Sequence, residues 1–289
     1  MSENKKDLRI LFPMWMGGNN PLYVLGSQLN NFLAPPQKNA KVIEIPVAPT
    51  NIEKKVEEGV MNRTEVVKSL KTAFEAISVN EPDRIVNLGG DCLSELPAFS
   101  YLSQKYGEKL GILWIDAHPD VMTPKEFENS HAHALALLMG DGDKELGQDV
   151  KFPVPYNRVL IAGNPEVTDY EKEYIKKHNI CTASPQEMRK DFSKLQHWIE
   201  KEKIEYLAVH LDLDVLNWES FRSTYFASPH HMGESHGLIM GEMEFDEVIS
   251  YMDEAGKLAE IVGFGVCEHL PWDSENLQNA FKRFPILNE

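Results

Sequence analysis

Short runs of aliphatic and aromatic residues recur along the chain, separated by longer polar segments in which apolar residues return every three or four positions. The first pattern is that of buried strands and the second that of helices packed on them. Eight runs stand out: 8-13, 41-47, 84-88, 110-115, 158-163, 180-183, 206-213 and 261-266. Several are apolar without alternation, as parallel strands covered on both faces are. The segment from Ser94 illustrates the helical pattern, with Ser94 as N-cap, Leu96, Phe99, Leu102 and Tyr106 on one face, and Gly107 as the stop. The alternation predicts an α/β fold with a parallel sheet between helical layers.

Nothing along the chain marks a domain boundary, and residues 1-289 are expected to form a single domain, an ordinary size for this class. Two long stretches without a strand or helix pattern, 119-132 and 217-237, are expected to be functional or mobile. The net charge of -16, from 45 acidic against 29 basic residues, excludes a nucleic-acid surface, which needs clustered Lys and Arg. It suits bound cations. No run reaches membrane-spanning length, and the start reads as a first strand rather than a signal peptide. Three scattered cysteines, Cys92, Cys181 and Cys267, point to a reducing cytoplasm.

The chemistry lies where the strands end, because ligands of open α/β sheets bind beyond the carboxyl ends of the strands. One strand runs into Gly89-Gly90-Asp91-Cys92, a second into Asp116-Ala117-His118-Pro119-Asp120, a third into Asp212-Leu213-Asp214. In extended backbone, Asp116, His118 and Asp120 would project together, as would Asp212 and Asp214. A lone Asp-x-Asp at a strand end is usually a turn or capping carboxylate. Four carboxylates brought together, however, repel strongly unless cations compensate them. Two divalent cations meet that need, and an oxygen-rich set with one imidazole favours Mn2+ while permitting Fe2+, Co2+ or Zn2+.

In order and spacing, Gly89-Gly90-Asp91, Asp116-Ala117-His118-x-Asp120 and Asp212-x-Asp214 resemble the signature blocks of the arginase, agmatinase and formiminoglutamase (ureohydrolase) superfamily. The resemblance runs from about residue 84 to 271. It implies a three-layer α/β/α arginase/deacetylase-like fold around an eight-stranded parallel sheet, with two Mn2+ ions bridged by a hydroxide. Position by position, it implies that Asp116 and Asp212 bridge both metals. Cys92 and Asp120 would complete the first metal's ligands, His118 and Asp214 the second's. It further implies that Asp120 orients the nucleophile and relays its proton, and that Glu268 grips the substrate's guanidinium. The alternative for Glu268 is a surface salt bridge.

Three departures from the family pattern bear on function. Where relatives usually have Gly-Gly-Asp-His, this chain has Cys92. Cys92 is a thiolate ligand, a non-ligand leaving the first metal weak or absent, or a buried structural cysteine in a site that no longer works. The surviving carboxylates favour the ligand reading, and some relatives that hydrolyse hydroxyarginine resemble this chain in carrying Cys there. Second, the loop that reads an amino acid's α-amino and α-carboxylate groups in arginases aligns with Met122, Phe127, Asn129 and His131, of which Asn129 is the one small polar candidate. His133 aligns with a proton-shuttling histidine, and His131 on the same loop could substitute for it. Third, Ser228-Pro229-His230-His231-Met232-Gly233-Glu234-Ser235-His236 replaces a Gly/Thr-rich loop, as a pocket wall or a solvated histidine-bearing loop.

The resulting expectation is a cytoplasmic, Mn2+-dependent C-N hydrolase. Its substrate would be a small guanidino or formimino compound: hydroxyarginine, arginine, an agmatine-like amine or formiminoglutamate. No nucleic-acid or membrane partner is expected, and a homo-oligomer, trimer or hexamer, is implied by the resemblance. The rivals are a metal-poor relative that binds a ligand for regulation, and a carrier or structural protein using only the acidic face.

Overall fold

The computed structural model describes residues 5-37, 39-164, 166-230, 232-235, 237-284 and 286. Ten strands form: β1 (Asp7–Phe12), β2 (Lys41–Glu44), β3 (Val56–Glu57), β4 (Val60–Met61), β5 (Arg84–Gly89), β6 (Leu110–Ile115), β7 (Val159–Ala162), β8 (Cys181–Ala183), β9 (Tyr206–Asp212) and β10 (Glu260–Cys267). Eight of them make one sheet in the order β2-β1-β5-β10-β9-β6-β7-β8, and every pairing in it is parallel. All eight apolar runs are strands of this sheet. The pair β3-β4 is a small antiparallel ribbon that the hydrophobic pattern did not announce.

Nine α-helices are present among the described residues: α1 (Leu22–Leu33), α2 (Arg63–Asn80), α3 (Leu96–Tyr106), α4 (Ala134–Leu138), α5 (Asp169–His178), α6 (Pro185–Lys190), α7 (Ser193–Glu202), α8 (Phe245–Leu258) and α9 (Trp272–Phe281). The sheet separates two apolar cores, and the split follows the two-residue period of the strands. On β6, Ile112 and Trp114 pack into one core with Leu70, Phe99 and Leu135, whereas Leu113 and Ile115 pack into the other with Trp198, Val248 and Tyr251. Helices α1 to α4 therefore cover one face and α6 to α8 the other, which is the three-layer arrangement.

Local departures have local causes. The run 41-47 is strand only to Glu44, because Pro46 has no N–H for the ladder; Ile45 makes the last bond, to Leu11 O at 2.9 Å. Ser94 does not cap α3. A 3-10 turn, Cys92–Glu95, comes first, Ser94 Oγ accepts from Asn87 Nδ2 at 3.1 Å, and α3 starts at Leu96 with a proline in its first turn. Gly107 ends it with φ of 55°, as expected.

Strand order sets the position of the site. From β5 the chain skips two strand positions to β6, runs on to β8 at the edge and then returns, so that β9 and β10 fill the gap and the carboxyl ends of β5, β10, β9 and β6 lie side by side.

Candidate metal centre

Each of those four ends delivers chemistry-bearing residues: Cys92 after β5, Cys267 and Glu268 at the end of β10, Asp212 and Asp214 at the end of β9, and Asp116, His118 and Asp120 after β6. Strand alternation is not what aligns them. β6 stops at Ile115, and Asp120 has φ of 52° in the left-handed region. Beyond β9, Asp212 instead caps a 3-10 turn, accepting from Asp214 N at 2.6 Å. Asp116 Oδ1 likewise accepts from His118 N at 2.7 Å. Glu268 is also left-handed, φ 61°, pinned by its N–H donating to Gly90 O at 2.8 Å. Other non-glycine residues with positive φ lie mostly at turns and helix ends, so the left-handed backbone here serves to aim these two side chains.

The donors fall into overlapping groups whose ligand atoms lie within 4.8 Å of one another: Asp116, His118 and Asp214; Cys92, Asp116, Asp120 and His210; and Cys92, His210, Asp212 and Cys267. Asp116 belongs to the first two groups and so links them. His118 Nδ1 is 3.1 Å from Asp214 Oδ2, and the Cys92 thiol donates to Asp212 Oδ2 at 3.1 Å.

The charges in this space do not balance by themselves. Burial raises the carboxyl pKa of Asp120 and Asp212 well above the usual range, and the charges of Asp116 and Asp214 add to it. Burial also raises Glu268, against the hydrogen bond donated by Tyr23. Asp116 goes the other way: burial would raise it, but His118 and His210 together outweigh burial and lower it. Both imidazoles are disfavoured as cations by burial, yet facing carboxylates win, raising His118 and bringing His210 to about 10. Asp120 Oδ2, Asp214 Oδ1 and His210 Nε2 are buried with no hydrogen-bond partner among the described residues. Unpaired buried acceptors and surplus carboxylates fit divalent cations.

A cavity of about 380 Å³ opens onto these groups. Cys92, His118, Asp120, Asp212, Asp214 and Glu268 lie on its wall, and Met122, Phe127, Asn129, Phe226 and Leu238 are further lining residues. Glu268 is 5% exposed and bonded to Tyr23 and Cys92, which removes the surface salt bridge as its alternative. The two loop histidines separate. His131 lines the cavity with Nδ1 3.2 Å from Gly17 O, and burial lowers its pKa to about 4. His133 is fully buried, its Nε2 bonded to Phe127 O at 2.8 Å, and it does not line the cavity. His230 is exposed; His231 and His236 lie outside the described residues.

Sequence reasoning passed over His210, Glu95, Cys267 and Tyr23. His210 carried a legible signal: it is two positions before Asp212 in a buried apolar strand and thus on the same face. Glu95 and Tyr23 had none, because their roles depend on contacts across 115 and 245 positions of sequence.

The arginase family model matches residues 30–277. The chain belongs to the arginase family. It is thereby a hydrolase of the kind that acts on amidino compounds, from a metal-dependent family. It is 29% identical over 244 residues to an arginase of Staphylococcus aureus (strain COL), covering 75% of this chain and 78% of that protein. Among solved structures, an Entamoeba histolytica arginase in complex with L-ornithine superposes with a TM-score of 0.78 at 18% identity, covering 92% of each chain. A formimidoylglutamase from Bacillus subtilis superposes with a TM-score of 0.66 at 15% identity, covering 94% of this chain and 81% of that one. At those identities the structures speak to the arginase-family fold alone.

Proposed function

We propose that the chain hydrolyses the C-N bond of a small guanidino compound, with a formimino compound as the other open class, using two divalent cations, Mn2+ by the family resemblance. The observation that carries this reading is Glu268, a buried carboxylate on the cavity wall beside the donor groups. His118, Asp116, Asp212 and Asp214 would hold one ion, and Cys92, Asp116, Asp120 and Asp212 the other. When bound, such a pair supplies Lewis acidity and hydroxide at neutral pH.

The chain's own residues do the rest. Glu268 pairs with the planar cation and fixes its central carbon for attack, a positioning contribution. Tyr23 holds that carboxylate in place through its hydroxyl. Asp120 takes a proton from the attacking water and relays it to the leaving nitrogen, which receives both water protons by the time urea and the amine separate. His131 is assigned to this relay ahead of His133, because it lines the cavity. Its Nδ1 is engaged by Gly17 O, leaving Nε2 as a proton acceptor. The apolar residues Met122, Phe127, Phe226 and Leu238 favour a substrate whose far end is less polar than an amino acid's.

The test is to load the full chain with Mn2+, alone and together with Zn2+ or Co2+, and assay a guanidino and formimino panel for urea, formamide or amine, with Glu268→Gln and Cys92→His in parallel. Turnover of one class by the parent, reduced at least about 10-fold in Glu268→Gln by loss of a charge-assisted pair, supports the reading. Failure of parent and Cys92→His alike to turn over any compound rejects it. Activity confined to Cys92→His rejects Cys92 as a working ligand.

A further inference from the structure

The family position that usually supplies an imidazole holds Cys92 here, and the structure has an imidazole elsewhere in the same space. His210 sits on β9, fully buried, with its Nε2 3.5 Å from Asp116 Oδ2 and in no hydrogen bond. Cys92 and His210 are the two residues common to the group with Asp116 and Asp120 and the group with Asp212 and Cys267.

Two contacts fix the ring, and a third fixes its carboxylate partner. Nδ1 meets Glu95 Oε2 at 2.9 Å, which turns Nε2 toward the carboxylates, where a bound cation would take the place of its proton. Trp114 stacks on one face, ring centroids 3.6 Å apart and planes 9° from parallel. Glu95 in turn rests over Gly265 on β10, where a Cβ would come within 2.0 Å of its Cδ. A carboxylate that orients a histidine through one nitrogen while the other faces an ion is the recurrent support of metal-bound imidazoles.

We propose that His210, oriented by Glu95, is the nitrogen ligand of the first metal position, and that with the Cys92 thiolate it selects a borderline-soft cation of the Zn2+ or Co2+ kind there. This rests on the two-cation reading above and deepens it. The second position, with His118, Asp116 and Asp214, has one imidazole and oxygen donors and stays a Mn2+ site. The imidazole has in effect moved from the turn after β5 to the adjoining part of β9, leaving room for sulfur where nitrogen usually stands. Thiolate plus imidazole shifts preference toward Zn2+ and Co2+, whereas carboxylates alone favour Mn2+.

The experiment titrates the metal-free full chain with Co2+, Zn2+ and Mn2+, recording stoichiometry, affinity and absorption spectrum. In the unaltered chain the first Co2+ should give a thiolate-to-cobalt charge-transfer band that Zn2+ abolishes and Mn2+ does not. X-ray absorption of the singly loaded zinc form should show sulfur at about 2.3 Å and imidazole nitrogen at about 2.0 Å. Glu95→Gln should weaken the first ion about 10- to 100-fold. His210→Gln should weaken it at least as much and remove imidazole scattering from that zinc. Retention of Mn2+ at the second position reports that these variants fold. Wild-type affinity and spectrum in both variants overturn the proposal, as does an unaltered chain that binds its first ion without sulfur. A chain that binds both ions as described but hydrolyses nothing on the panel supports this proposal and rejects the hydrolase reading alone.

Discussion

Trp114 and His210 lie face to face, and the indole Nε1 donates at 3.1 Å to Asp116 Oδ2, the same oxygen that His210 Nε2 faces at 3.5 Å. One tryptophan thus holds both a carboxylate shared between the donor groups and the imidazole beside it. Trp114→Phe keeps an aromatic face and loses the donor. The expected loss is about 1–3 kcal/mol of stability, the cost of leaving a buried acceptor unpaired, read by urea unfolding of the metal-free protein. A change within error of zero would mean that water replaces the indole.

Gly265 is expected to matter through Glu95 alone. Its added Cβ would collide with the Glu95 carboxylate, which has no free direction because Glu95 is fully buried. Gly265→Ala should therefore reproduce the metal-binding loss of Glu95→Gln, with an overpacking cost of about 1–3 kcal/mol. Cobalt titration checks it, and unchanged affinity would show that Glu95 can move without disturbing His210.

The eight strands and the layering were readable because buried parallel strands leave continuous apolar runs, and β6 and β7 are buried at every position. The donors at Asp116, His118, Asp120, Asp212 and Asp214 were readable because motif spacing survives in sequence. Their grouping was read through the wrong geometry: alternation was assumed where a left-handed Asp120 and a 3-10 turn at Leu213–Val215 do the aligning. Glu95 could not be anticipated, since its meaning comes from His210, Gly265 and Asp116 brought together by strand order.

The metal-free protein should lose stability as pH rises above 6.5. Asp91, raised to about 7 by burial, and the raised carboxyls of Asp120 and Asp212 bind protons more tightly folded than unfolded. The stability they contribute is complete below the ordinary carboxylate range and is lost as pH climbs toward their folded values. His210, raised to about 10, acts in the same direction above 6.5. The buried neutral histidines His131 and His133 oppose this, but lose their influence above their unfolded pKa near 6.5. Thermal melts of chelator-treated protein at pH 6.5 and 9 test it, and added divalent metal should flatten the slope. A rise in melting temperature with pH would contradict the charge assignment.

The two loop histidines should separate in assays of the active enzyme. His131→Asn is expected to lower kcat by roughly 100-fold or more with little change in melting temperature, as loss of a proton carrier does. His133→Asn is expected to cost about 1–2 kcal/mol of stability with kcat retained, because its ring serves the Phe127 carbonyl. The reverse pattern would exchange their roles.

The sheet's edges, β2 and β8, carry none of the donor residues; all of these sit on or directly after the four central strands, β5, β10, β9 and β6. Edge strands exchange their amide hydrogens through small, frequent openings, whereas inner strands exchange only when the whole domain opens. The margins of this molecule can therefore breathe while its chemistry stays assembled, and the residues that hold charge together will be among the last to meet solvent.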